Sequence, residues 1–288
     1  MSAGAQPPPE LAGRGERGGL RLRAAAMLVL LGVLLHGPQL AGPFTDGLSG
    51  DCGAMFSVMA RNTERLGWRG LCPAINTAPP EPGELVDHYN HHPPGLPWMV
   101  FLATRLPVQA ETAARLVALL LTLATVLLLA DLATRLSGPA AGGAAGLLAL
   151  LAPAGWHHGL LVNYETAALP PMLLLVRALV LQRGPTALAA AWGALSDWIA
   201  VAPLLLVRGV TWRRRVPAAL AAGAVLAGSF VLGRLFAPGS PGETLAQARL
   251  ASFLNPAFDG GAWVANVGRF LAALFGCALL PAACALLV

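Results

Sequence analysis

A cluster of titratable side chains stands out in the stretch DHYNHHPPGLPWM, residues 87–99. Within six residues it contains an acid, three histidines, an asparagine and a tyrosine, and two prolines and an apolar run follow. Carboxylates and imidazoles can move protons and contact phosphate groups. Adjacent histidines point in different directions and the chain has no HExxH motif, so no metal site is indicated. A divalent cation would be compatible with such chemistry, but the pattern requires none.

The surroundings of this cluster are those of a membrane protein. The chain is 56% hydrophobic and only 11% charged, whereas soluble domains carry about 25% charged residues. The net charge of +5 comes from arginines that flank apolar runs. Such arginines are a topology signal, and no basic patch laced with aromatics suggests a nucleic-acid partner. We therefore predict an integral protein of the lipid bilayer.

The apolar runs predict an all-α polytopic fold with about seven to nine transmembrane helices. Arginines before the first run place the N-terminus in the cytoplasm, so the first polar loop and its site are external. The Ala-, Arg-, Gly- and Pro-rich composition is typical of a GC-rich bacterium and predicts its cytoplasmic membrane. The predicted segments are a disordered cytoplasmic tail over 1–23, a first transmembrane helix over 24–42, an external loop with interfacial helices and the site over 43–113, a transmembrane bundle over 114–236, an external loop over 237–267 and a last transmembrane helix over 268–288.

Shorter patterns refine this arrangement. The segment GAMFSVMARNTERLGW has apolar residues at helical spacing, which predicts a helix on the membrane surface, and PPGLPWMVFLATRL is too short to cross. The arginines on both flanks of 186–207 can all lie on the cytoplasmic side of the membrane only if this segment enters the membrane from that side and returns to it. We therefore predict a broken hairpin there with Ser196, Asp197 and Trp198 at its tip, facing protein or a wet cavity. The last run is apolar to its final residue, which favours a fragment of a longer protein.

This arrangement gathers most acids and histidines of the membrane region at the external face, where ionisable residues tend to mark function. Each also has a structural interpretation. Asp46 and Asp51 are suited to cap turns or helices, and Glu165 suits the first turn of a helix. Asp197 is harder to explain in this way, because ALSDWIAVAP is otherwise apolar. Cys52 and Cys72 in the external loop are either a disulfide or two buried thiols, and the sequence leaves both open.

The first loop contains several short motifs in a fixed order. An acid opens an amphipathic helix that contains the pair Ala60-Arg61, His-His-Pro-Pro follows, and Arg115-Leu116 starts the next span. This order of motifs resembles the GT-C superfamily of membrane glycosyltransferases, especially the protein mannosyltransferase and aminoarabinose transferase branch. The resemblance covers about residues 25–215. Many relatives have Asp-Glu where Asp51-Cys52 stands, and many have a lysine near the position of Asp197.

The resemblance implies an enzyme that moves a sugar from a polyprenyl-phosphate donor to an unidentified acceptor at the external face. Asp51 matches the catalytic acid, and His91-His92-Pro93 matches the element that closes the active site. Together with the polar residues predicted at the external face, this gives as predicted substrate-binding residues Asp46, Arg61, Asp87, Asn90, His91, His92, Glu165 and Asp197. Two alternatives stay open: a transporter or flippase that binds its substrate at the broken helix, and a non-catalytic member of the same fold.

Overall fold

A computed structural model describes residues 9–44, 48–67, 73–74, 88, 92–152 and 159–236. Apart from one isolated antiparallel bridge between Ala74 and His88, the regular structure of these residues is helical. This confirms the predicted all-α class. Four of the site candidates lie outside the described residues, namely Asp46, Asp87, Asn90 and His91. The predicted last span over 268–288 also lies outside them.

The described residues form a series of helices. In chain order they are α1 (Pro9–His36), α2 (Leu48–Leu66), α3 (Gly95–Ala103), α4 (Ala110–Ser137), α5 (Pro139–Leu151), α6 (Tyr164–Val180), α7 (Thr186–Ser196), α8 (Pro203–Leu206) and α9 (Trp212–Phe236), with 3-10 turns at Gly37–Gln39 and Trp198–Val201. Within the described residues, α1, α4 and α9 contain segments long and apolar enough to span a membrane. The chain is therefore an integral membrane protein, and the total of seven to nine spans stays a prediction.

The first helix begins earlier than composition suggested. It starts at Pro9, inside the segment 1–23 that was predicted to be a disordered tail. Proline suits a first helical turn because its φ is preset and its missing N–H is not needed there. The Glu, Leu, Ala and Arg residues that follow have high helix propensity, so the backbone continues as a helix into the apolar segment Leu22–Gln39.

The helices α4 and α5 form a tight hairpin around Gly138. Its φ of +97° is a conformation that residues with a side chain rarely adopt, and Pro139 then starts α5. The two helices pack closely, because a Cβ on Gly142 would overlap the Thr134 hydroxyl. Helix α5 extends to Leu151, and residues 153–158 lie outside the described part of the chain.

The predicted break in the segment 186–207 is confirmed. Helix α7 ends at Ser196, Asp197 has an extended backbone, and a 3-10 turn and the four-residue helix α8 follow. The chain folds back against α7, where a Cβ on Gly193 would lie 3.2 Å from the Ala200 Cβ. The returning arm is short and irregular, since Pro203 lacks the N–H that would continue a helix from the turn.

Two of the four apolar clusters in the described residues join the helices that carry the candidate site and the helix break. One joins α2, α3, α4 and α6 and includes the fully buried Phe56, Met59 and Val100. The other joins α6, α7 and α9 through Leu175 and Leu179, packed against alanines of α7 and α9. The first core lies beneath the ends of α2, α3 and α6, and it therefore fixes the elements that carry the candidate site.

Candidate active site

A side-chain hydrogen bond joins two of the predicted site residues across the bundle. His92 Nδ1 lies 3.0 Å from Asp197 Oδ2, although the two residues are 105 positions apart in the chain. A carboxylate only accepts hydrogen bonds, so Nδ1 of His92 carries the hydrogen, which fixes the orientation of the ring. The Asp197 side chain is only 6% exposed, whereas that of His92 is 22% exposed. The carboxylate is therefore buried behind the imidazole, and the opposite edge of the ring faces outward.

The carboxylate of Asp197 also determines the local backbone. Its Oδ1 accepts a hydrogen bond of 3.0 Å from the backbone N–H of Ile199, which caps the 3-10 turn Trp198–Val201. One buried side chain thus caps the turn that follows the helix break and orients His92. This dual use explains why an acid lies in an otherwise apolar sequence.

Aromatic rings form the wall behind the imidazole. The His92 ring stacks on Tyr164, with centroids 4.1 Å apart and planes inclined by 14°, and it meets Trp198 edge-on at 6.5 Å. Tyr164 in turn packs edge-to-face on Phe56 of α2 at 5.2 Å. We call His92, Asp197, Tyr164 and Trp198 the His92 cluster. Sequence reasoning missed Tyr164, and the only available signal was its place in NYET, between the helix cap Asn163 and the candidate Glu165.

A glycine permits this arrangement. Gly95 is the first residue of α3, and a Cβ placed on it would lie 2.4 Å from the backbone carbonyl oxygen of Leu195 at the end of α7. Only a residue without a side chain allows the start of α3 to approach α7 so closely. His92, three residues before Gly95, is thereby brought to Asp197, two residues after Leu195.

Two exposed carboxylates lie on either side of a cysteine near this cluster. Asp51 is in the first turn of α2 and Glu165 is in the first turn of α6, next to Tyr164. Burial raises the pKa of the Cys52 thiol, and the nearby carboxylates of Glu165 and then Asp51 raise it further. Cys52 is a free thiol. Because both carboxylates raise the pKa of Cys52, we infer that Asp51, Cys52 and Glu165 lie in one region of the surface.

Arg115 anchors the segment that leads into α2. Its guanidinium donates hydrogen bonds to the carbonyl oxygens of Gly42 and Pro43, the second at 2.7 Å, and lies 4.6 Å from the centre of the Phe44 ring. A Cβ on Gly53 would overlap the Phe44 ring, so this ring lies directly against the first turns of α2. The Arg115-Leu116 motif therefore connects the start of α4 to the helix that carries Asp51.

The remaining candidate, Arg61, is separated from these residues. It lies ten positions after Asp51 on the same helix, which places their Cα atoms about 15 Å apart, and it lines a cavity of about 370 Å³ with Ser57 and Glu111. Its neighbour Asn62 has a structural contact, donating a 2.9 Å hydrogen bond to the Ala74 carbonyl oxygen. Ala74 in turn forms the antiparallel bridge with His88, so α2 contacts this pair of residues.

The structure thus brings His92, Asp197, Asp51 and Glu165 to one end of the α2, α3, α6 and α7 assembly and leaves Arg61 apart. Within the described residues, no group of three or more His, Cys, Asp or Glu side chains is arranged to hold a metal ion. The site is therefore an acid- and imidazole-bearing surface at helix ends, supported by buried aromatics.

These features define a helical membrane protein with a polar site at its helix ends, and comparison with known families agrees with this class. Residues 91–205 match the family model described as dolichyl-phosphate-mannose-protein mannosyltransferase. That family belongs to the GT-C superfamily, so the resemblance is confirmed over a segment that makes up less than half of the chain. The match includes His92, Glu165 and Asp197, whereas Asp51 and Arg61 precede it. No curated protein and no solved structure matches the sequence.

The matched family supports a membrane glycosyltransferase of the GT-C type. The name of that family refers to the transfer of mannose to protein by its members.

Proposed function

We propose that the protein is a glycosyltransferase that moves a sugar from a polyprenyl-phosphate donor to an acceptor hydroxyl at the external face of a bacterial cytoplasmic membrane. The observation that carries this proposal is the convergence of four separate segments on one surface. These are the first turn of α2 with Asp51, the residues before α3 with His92, the start of α6 with Glu165 and the break at Asp197.

In this proposal Asp51 is the general base. Its exposed carboxylate takes the proton of the acceptor hydroxyl while the hydroxyl oxygen attacks the anomeric carbon of the sugar. The bond between that carbon and the phosphate oxygen breaks, and its electron pair leaves with polyprenyl phosphate. An exposed carboxylate at a helix start suits this role because it can accept a proton from a substrate approaching through water.

His92 is assigned to the departing phosphate. Its Nδ1–H is engaged by Asp197, and the ring stacks on Tyr164, so its orientation is fixed before the reaction. When the ring is protonated, its remaining donor is Nε2–H, and we assign this group to the leaving phosphate. A donor held in place stabilises the charge that develops on a leaving group without reorganising during the reaction. Glu165 stays a predicted contact for the sugar, and Asp46, Asp87, Asn90, His91 and Arg61 stay predicted substrate contacts.

The decisive experiment measures sugar transfer to endogenous acceptors in membranes that contain the full chain, with radiolabelled polyprenyl-phosphate mannose and with other polyprenyl-phosphate sugars in parallel. We expect Asp51→Asn to lower transfer about 100- to 10,000-fold, as expected for loss of a general base. The matched control is Glu64→Gln. Glu64 is on the same helix, about 20 Å further along, and forms an exposed ion pair with Arg105.

Transfer by the wild type and by Glu64→Gln, together with loss in Asp51→Asn, would support the proposal. Equal transfer by Asp51→Asn and the wild type would reject Asp51 as the base. Absence of product from an inserted wild-type chain with every donor would favour a non-catalytic member of the fold, and movement of the donor across vesicles without a glycosidic product would favour a flippase.

A further inference from the structure

A second ionic cluster lies away from the candidate active site and has no role in the proposed reaction. Asp131 of α4 accepts a 2.8 Å hydrogen bond from Arg135, one turn further along, and a 2.6 Å bond from Arg177 of α6. We call these three residues the Asp131 cluster. One carboxylate thus faces two guanidinium groups, and the cluster carries a net charge of +1.

A groove adjoins this cluster. It has a volume of about 690 Å³ and runs between α1, α4 and α5. Its walls are apolar and include Leu28, Leu127 and Gly143, while Asp131 and Thr134 are the polar residues that line it. Two of its three walls, α1 and α4, belong to helices long and apolar enough to span a membrane.

We propose that this groove binds an anionic phospholipid of the bilayer, with an acyl chain along the apolar walls and the phosphate beside Arg135 and Arg177. An uncompensated charge within a transmembrane segment is costly. Basic pockets between transmembrane helices therefore favour anionic headgroups. The phosphate would supply the negative charge that the single carboxylate of Asp131 does not.

The sequence disfavours another occupant from the same chain. The apolar segment 268–288 is long enough to fill a groove between helices, but it carries Arg269 and no acid. It would add positive charge where negative charge is needed. A neutral phospholipid would fill the same volume but would leave the net charge of the cluster unchanged.

The test is native mass spectrometry of the full-length protein in detergent, incubated with phosphatidylglycerol or with phosphatidylcholine. The first variant is Gly143→Phe, which fills the groove. A Cβ on Gly143 meets no atom within 4 Å, so the substitution leaves the helix packing in place. The matched control is Gly228→Phe, because a Cβ on Gly228 of α9 also meets no atom within 4 Å. A second variant, Arg135→Gln, makes the cluster neutral while keeping Asp131 paired with Arg177.

We expect the wild type and Gly228→Phe to retain phosphatidylglycerol at least tenfold better than phosphatidylcholine. We expect Gly143→Phe to retain at least tenfold less phosphatidylglycerol than the wild type. We expect Arg135→Gln to retain the two lipids equally. Undiminished lipid binding by Gly143→Phe would overturn the groove as the site. Equal binding of the two lipids by the wild type, or no lipid binding by the wild type, would overturn the anionic ligand.

Discussion

The His92 cluster and the Asp131 cluster both join distant parts of the chain through a carboxylate within about 3 Å of a nitrogen, but they are built on different backbones. His92 precedes a helix and Asp197 interrupts one. Asp131 and Arg177 are on continuous helices. Along α6, Tyr164 of the first cluster and Arg177 of the second are thirteen residues apart, which corresponds to about 20 Å.

This difference separates two uses of charge within one membrane protein. At a helix break the backbone is irregular and the side chains of a short polar segment converge on one surface, where a substrate can meet them. On continuous helices the same kind of contact fixes the distance between two helices. We therefore assign chemistry to the His92 cluster and helix attachment, with lipid binding, to the Asp131 cluster.

The largest effect on stability is expected from Asp131→Ala. The change leaves Arg135 and Arg177 without their carboxylate, and an uncompensated charge of this kind in a transmembrane segment costs about 2–3 kcal/mol. The measurement is thermal unfolding in detergent. The control is Glu64→Ala, which removes an exposed ion pair worth less than about 1 kcal/mol. Similar melting temperatures for the two variants would refute the assignment of a structural role to Asp131.

The next effect concerns the approach of α3 to α7. Gly95→Ala places a methyl group against the Leu195 carbonyl oxygen, and forcing extra atoms into such a contact costs about 1–3 kcal/mol. We expect a lower melting temperature and reduced sugar transfer, because α3 and His92 must move away from Asp197. Gly228→Ala is the control, and it should be neutral or slightly stabilising. Unchanged stability and transfer in Gly95→Ala would show that the close approach is not required.

A smaller effect is expected when the cap at the helix break is removed. Asp197→Ala loses the hydrogen bond to the Ile199 N–H, at a cost of about 1 kcal/mol, while Asn caps as well as Asp. Thermal unfolding should therefore place Asp197→Ala below Asp197→Asn. If both variants unfold at the same temperature, the turn does not depend on this cap.

The smallest effect is a shift in thiol reactivity. Because the carboxylates of Glu165 and Asp51 disfavour the Cys52 thiolate, Glu165→Gln and Asp51→Asn should each lower the pKa of Cys52, and Glu165→Gln should lower it more. The measurement is the rate of alkylation against pH in a reduced chain whose other cysteines are serine. The profile should move to lower pH in both variants. If the alkylation profile of Cys52 does not move in Glu165→Gln, Glu165 does not lie close to Cys52 on α2.

Much of the helical framework could be predicted from the sequence. Positive charges flanking 186–207 predicted the break at Asp197, and the shortness of the apolar run after His92 predicted the non-spanning helix α3. These features depend on composition and local spacing. Helix α1 was harder to delimit, because proline and glycine within 1–23 suggested disorder although the intervening residues favour helix.

The contacts within the site could not be predicted in the same way. The pairing of His92 with Asp197 depends on a glycine contact between α3 and α7, and the stacking of Tyr164 depends on how α6 packs on α2. From the sequence, Asp131 looks like an exposed ion-pair partner of Arg135 one helical turn away. Its second partner, Arg177, is on another helix and could not be predicted from local spacing. Such contacts are set by tertiary packing, which a single sequence does not encode in its local pattern.

The central claim is that catalysis belongs to the His92 cluster and the surface beside it. Its most direct test compares sugar transfer per molecule of folded, membrane-inserted protein for Asp197→Asn and Asp131→Asn. Both changes remove one carboxylate charge and keep the shape of the side chain. We predict that Asp197→Asn keeps its thermal stability and loses most of its transfer, whereas Asp131→Asn loses stability and keeps its transfer per folded molecule. Full transfer by Asp197→Asn with loss of transfer in Asp131→Asn would contradict the account.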